Sequence, residues 1–128
     1  MILMSGIRYA VIADVHGNRL ALEVVLEDIL ERGIDHIINL GDSLYGPLDP
    51  ERCAKLLATS RVISIRGNED RVLIESAVNN EHNPSLSFTR SMISPETVSW
   101  LKQLVPVLET TEIVAFHGTP LSDTEYLL

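Results

Sequence analysis

Apolar residues in this chain come in short runs, and each run gives way abruptly to polar ones. Residues 8–13 are few, β-branched and bounded by polar positions, which predicts a buried strand. Over residues 18–32 the period changes. Leu22, Val25, Leu26, Ile29 and Leu30 fall at i, i+3, i+4, i+7 and i+8, while Glu23, Glu27, Asp28 and Glu31 occupy the opposite face. This is an amphipathic helix, with Asn18 as its N-cap and Gly33 as its stop. Residues 36–40 predict a second strand, residues 50–59 a helix with Pro50 in its first turn, and residues 62–65 a third strand. Three strands alternating with two helices imply β-α-β units and a parallel sheet.

The second half is less periodic. Residues 71–78 read as helical, residues 79–84 as a polar breaker, and residues 86–92 as another short helix. Ser94-Pro95-Glu96 opens a helix carrying Val98, Trp100, Leu101 and Leu104, and Pro106 marks its end. Residues 105–109 and 112–116 predict an antiparallel hairpin closed through Thr110-Thr111, and residues 123–128 predict the start of a further helix. There is no internal repeat, linker or low-complexity segment, so residues 1–128 are expected to form one domain.

Composition narrows the partners. With 128 residues the chain can bury a real core, and 45% hydrophobic with 22% charged residues is ordinary for a globular protein. A formal net charge of −8 disfavours attraction to nucleic acid, although bound cations can reverse the local sign and admit a small phosphorylated substrate. Cys53 is the single cysteine, which excludes an internal disulfide and suits a reducing compartment. The first six residues lack the basic region and long apolar core of a signal peptide, and no apolar run approaches membrane-spanning length. The expected location is cytoplasmic, without a membrane partner.

The candidate chemistry lies where the strands end. Asp14 and His16 follow the first strand, Asp42 the second, Asn68 the third, and His117 the second arm of the hairpin. Taken singly, Asp14, Asp42 and Asn68 are residues that commonly cap helices or form turns. Three of the strands should be parallel neighbours about 4.8 Å apart, so the side chains can converge at the carboxyl ends, where open α/β sheets bind ligands. Three oxygen donors and two imidazoles suit transition metals such as Mn²⁺, Zn²⁺, Fe or Ni²⁺ better than an all-oxygen Ca²⁺ cage, with Mg²⁺ a further candidate. They are also more than one tetrahedral ion needs. Two cations roughly 3.5–4 Å apart can clamp a phosphoryl group and turn water into hydroxide.

Asp14-Val15-His16, Gly41-Asp42, Gly67-Asn68 and His117-Gly118 resemble, in order and spacing, the calcineurin-like metallophosphoesterase superfamily. Gly41-Asp42-Ser43-Leu44-Tyr45-Gly46-Pro47 and His117-Gly118-Thr119-Pro120-Leu121-Ser122-Asp123 are similar to its small bacterial and archaeal phosphodiesterase branch. The resemblance implies an α/β fold, a four-layer αββα sandwich of two mixed sheets with helices on both outer faces. It also implies two divalent metals, Mn²⁺ first among the candidates. Asp14 and His16 would hold one metal, Asn68 and His117 the other, and Asp42 would bridge them. The activity implied is phosphodiester hydrolysis, with Asp42 and Asn68 in the catalytic centre. Asp70 would serve local hydrogen bonding.

Two departures from the pattern open alternatives. Many relatives have histidine after Gly-Asn, whereas this chain has Glu69, a carboxylate that would need a raised pKa to act as an acid. The family's Gly-His-x-His motif, expected after His117, does not follow Pro120, so the chain is expected to represent the N-terminal portion of the usual domain. Both features favour a rival reading, a catalytically impaired protein that binds a phosphorylated ligand or a protein partner. An unfinished sheet would also expose an edge through which a second copy could associate. Arg66 and Tyr45 are further candidates for contact with substrate. His36 and His82 are expected to be solvated, Cys53 a small buried hydrophobe and Trp100 a core residue.

Overall fold

Parallel pairing of β1 (Tyr9–Ile12), β2 (His36–Asn39) and β3 (Val62–Ser64), in that spatial order, sets the frame of the molecule. The computed structural model describes residues 6–59, 61–75 and 82–127. The expected helical stretch 76–78, the breaker residues 79–81, residues 1–5 and residue 128 lie outside the described residues. Register aligns Ile12 with Asn39 and Asn39 with Ser64, so all three strands end level. Whatever follows them leaves the sheet along one line.

The helices α1 (Arg19–Glu31) and α2 (Pro50–Leu57) make the crossovers that parallel strands require. They are followed by α3 (Asn68–Glu75), α4 (Pro84–Met92) and α5 (Pro95–Gln103). Short polar side chains cap four of the five: Asn18, Asp49, Asn83 and Ser94 each accept a backbone N–H from the first turn. The hairpin is present as β4 (Val107–Glu109) and β5 (Val114–Phe116), antiparallel, and a bridge between Ile65 and Val105 ties it to the parallel strands.

One apolar cluster joins the helices to the sheet. Leu22 of α1, Cys53, Ala54 and Leu57 of α2, Leu73 of α3, Leu86 of α4 and Leu101 of α5 are buried together, with Ile12 and Val62 packed against them. Burial pushes the Cys53 thiol up to about 11, so it is a protonated, inert core residue. Trp100 packs partly buried against the same cluster. The alternate face of the sheet is more open: Val11 and Ile63, both in register with Ile38, are 58% and 46% exposed.

Two expectations are corrected. On α1 only Leu22 and Ile29 are buried, with Leu26 packed against the core, while Val25 and Leu30 are exposed. β1 is an edge strand among the described residues, so α1 buries a narrow seam rather than a broad stripe. Residues 123–127 form a turn and irregular backbone, not a helix. Just before them the Thr119 hydroxyl accepts the Ser122 N–H and the Ser122 hydroxyl the Thr124 N–H, and such side-chain bonds compete with a helical ladder. No helix among the described residues is long and apolar enough to cross a membrane.

Candidate metal centre

The three loops that leave the parallel strands are zipped together by backbone. Asp14 N–H donates to the Gly41 carbonyl, His16 N–H to that of Asp42 and Gly17 N–H to that of Ser43, at 3.0, 3.1 and 2.9 Å. This ladder holds Asp14, His16 and Asp42 at φ of 54°, 47° and 54°. They are the three non-glycine residues with positive φ among the described residues. Left-handed backbone costs about 1–2 kcal/mol for a residue with a side chain, least for Asp and Asn, and it persists where surrounding bonds fix it.

A buried carboxylate holds the next loop. Asp70, with no exposed surface, accepts backbone N–H groups from Asp42, Ser43 and Gly67 at 2.9, 3.0 and 2.9 Å. As the third residue of α3 it reaches back to Gly67, the residue before the helix, half of a capping box. Burial raises its carboxyl above the ordinary range, against the pull of those N–H bonds. The loops leave no room here. A β-carbon on Gly67 would lie 2.2 Å from Asp42 Oδ1, and one on Gly41 would lie 2.3 Å from Gly67 N. Asn39, fully buried at the end of β2, donates to the hydroxyls of Ser43 and Ser64 and so ties the β2 loop to β3.

On this scaffold Asp14, His16, Asp42, Asn68, Glu69 and His117 line one cavity of about 410 Å³. Asp42 is at its centre. Its Oδ2 is 3.5 Å from His117 Nε2, and its Oδ1 accepts the Glu69 N–H at 2.9 Å. Both imidazoles are held alike: His117 Nδ1 lies 2.8 Å from the Leu40 carbonyl and His16 Nδ1 3.0 Å from that of Tyr45. A carbonyl accepts only from N–H, so each ring carries a proton on Nδ1, which leaves Nε2 as the nitrogen that could meet a cation. His16 Nε2 lies 3.7 Å from Asp14 Oδ1. Glu69 Oε2 is 2.9 Å from His16 Nδ1, yet it is buried and accepts no hydrogen bond, because that N–H is directed to Tyr45. Burial raises the Glu69 carboxyl and the Asp42 charge raises it further, with His16 opposing.

The donor set fits divalent cations. Asp14, Asp42 and His117 form one group and His16, Asp42 and Glu69 a second, the ligand atoms within each lying within 4.8 Å of one another. Asp42 belongs to both. Carboxylates crowded together repel one another until a cation lies among them.

Tyr45 and Arg66 do not line this cavity. The Tyr45 hydroxyl donates to Asn83 Oδ1, and the Arg66 N–H donates to the Val105 carbonyl. Sequence reasoning overlooked Asn39, whose only signal was a polar residue interrupting an apolar run. It also overlooked Asp123, which lines the cavity wall and takes a two-pronged bond from Arg71 at 2.7 and 3.0 Å. That guanidinium holds the Asp123 carboxyl below the usual range.

Comparison with known proteins agrees with this geometry. Residues 7–126 match the calcineurin-like phosphoesterase superfamily domain. An uncharacterized protein of Methanocaldococcus jannaschii is 29% identical over 119 residues, which cover 87% of this chain and 49% of that one. A metallophosphoesterase from Sphaerobacter thermophilus superposes with a TM-score of 0.81 at 32% identity, covering 96% of this chain and 52% of that structure. A hypothetical protein from Pyrococcus horikoshii OT3 follows at 0.74 and 25%, covering 94% and 58%. The chain thus spans about half the length of the relatives it matches.

Proposed function

The chain belongs to the calcineurin-like phosphoesterase superfamily, and from that premise we propose that it is a metal-dependent phosphodiesterase acting on a small phosphorylated substrate through two divalent cations, Mn²⁺ first among them. The observation that carries this reading is Asp42, a buried carboxylate common to two groups of potential ligands. Asp14, His16, Asn68 and His117 complete the set. Cations held by these residues would supply positive charge to the phosphoryl oxygens and acidify a water enough to attack phosphorus near neutral pH.

The chain's own residues do the rest. The Leu40 and Tyr45 carbonyls hold Nδ1 of each imidazole and so leave Nε2 as the nitrogen available to a cation. Asp70 sets the path of the loop that carries Asp42, and so the position of the shared carboxylate. Asn68 opens α3 and lines the cavity, where an amide is suited to a phosphoryl oxygen. Water adds to phosphorus through its oxygen, the bond from phosphorus to the departing oxygen breaks, and that oxygen takes up a proton.

Hydrolysis of bis(4-nitrophenyl) phosphate, with and without added Mn²⁺, tests the reading. Turnover that needs Mn²⁺ and is lost in Asp42→Asn is the expected result. Turnover indifferent to chelator, or unchanged in Asp42→Asn, would overturn it.

A further inference from the structure

Glu69 enters none of the five ligand positions just named, yet its carboxylate is placed like one. It comes from the first turn of α3, and its backbone N–H is already bonded to Asp42 Oδ1, so the residue is fixed beside the shared carboxylate. Its Oε2 has lost solvent without gaining a hydrogen bond. A buried carboxylate oxygen with no donor is costly unless a cation meets it. The nearest N–H, on His16 Nδ1, is directed to the Tyr45 carbonyl, so Glu69 does not orient His16 through a hydrogen bond. Its near neighbours add to the deficit, for Asp14, Asp42 and Asp70 are all acidic. Among the described residues its carboxylate forms a group with His16 and Asp42, their potential ligand atoms within 4.8 Å of one another, and a cation there would meet it.

We propose that Glu69 is a metal ligand, the third donor with His16 and Asp42 of one of the two cation positions. This rests on the two-cation reading above and extends it, giving that position two hard carboxylate oxygens and one imidazole nitrogen, a set that favours Mn²⁺ or Fe over soft, thiolate-seeking ions. It also takes Glu69 out of proton transfer, since a carboxylate beside a dication stays ionised.

Calorimetric titration of metal-free protein with Mn²⁺ tests the assignment, comparing the wild-type chain with Glu69→Gln. The wild type should take up two ions. Glu69→Gln should keep one and bind the other at least ten- to a hundredfold more weakly, the loss that even outer-shell ligand partners produce. Thermal unfolding supplies the control for folding. Without metal the variant should melt at the same temperature as wild type or higher, because a repelled carboxylate is gone, and Mn²⁺ should raise that temperature less. Direct coordination is read in Glu69→Cys loaded with Co²⁺, which should show a near-ultraviolet thiolate-to-cobalt band that the wild type, with Cys53 sealed in the core, lacks. Two ions bound by Glu69→Gln with wild-type affinity would overturn the ligand role and leave the phosphodiesterase reading standing. A wild type that binds no ion would overturn both. Two cobalt ions bound by Glu69→Cys with no such band would reassign Glu69 to positioning.

Discussion

The carboxyl ends of β1–β3 and the helical core of α2, α4 and α5 lie in one small protein and are held by opposite means. In the core, Leu57, Leu86 and Leu101 are buried to 0%, 1% and 0%, their helices begin at ordinary caps, and the backbone there is relaxed. At the strand ends Asn39, Asp42, Ser43 and Asp70 are buried polar residues, the backbone is forced into left-handed conformations, and specific hydrogen bonds hold each loop in place. Packing tolerates exchange of one apolar shape for another of similar volume. A hydrogen-bonded polar scaffold tolerates almost none, because each lost acceptor strands a donor. The core therefore decides whether the chain folds, and the loops decide where five or six donor atoms point.

The contrast is sharpest for Asp42→Asn. It removes the shared charge while keeping an oxygen that can still accept the Glu69 N–H, so Mn²⁺-dependent turnover should fall at least about a thousandfold while denaturant stability moves by less than about 1 kcal/mol. Leu57→Ala should do the reverse. It should lose about 2–5 kcal/mol by chemical denaturation yet retain wild-type turnover per folded molecule at low temperature. A catalytic loss as large as that of Asp42→Asn would mean the two regions are not separable.

Asp70→Ala crosses the boundary between them. Three backbone N–H groups lose their acceptor, so stability should fall by about 2–4 kcal/mol, and metal affinity should fall with it because Asp42 and Ser43 are no longer held. Unchanged Mn²⁺ affinity in the folded fraction would show that the loop path does not depend on Asp70.

The smallest effect should come from acid. Asp123 has its folded pKa depressed, first by the hydrogen bond from Arg71, so its contribution is fully present above the ordinary aspartate value near 3.9 and fades as pH falls through the depressed one. The pair is partly exposed, which limits the effect to about 1 kcal/mol or less. Metal-free wild type and Asp123→Asn should differ in thermal midpoint at pH 6 and converge toward pH 3. An equal difference at both values would break the link.

Much of this was legible in the chain because two periods of hydrophobicity and a few caps determine the parallel frame, and a parallel frame with level strand ends brings Asp14, His16, Asp42 and Asn68 together. His117 was harder to place. It arrives through the hairpin, and the bond to the Leu40 carbonyl with the 3.5 Å approach of Nε2 to Asp42 shows that its ring turns toward the same cavity. The exposure of Val25 and Leu30 was not legible, since a helix's apolar stripe shows what can be buried and not how many neighbours will cover it. Nor were the turn and irregular backbone of residues 123–127, where hydroxyl-to-backbone bonds and the clamp of Arg71 on Asp123 outweigh local helical preference.

The left-handed backbone of Asp14, His16 and Asp42 also bears on how this protein would change under selection. Glycine occupies that conformation without strain, and asparagine does so more readily than most other residues. A screen for heat resistance in metal-free buffer, blind to chemistry, would therefore be expected to enrich Gly or Asn at positions 14, 16 and 42. Each gain in melting temperature would remove or weaken one donor of the centre. Only a screen carried out in the presence of Mn²⁺ would hold the two pressures in balance.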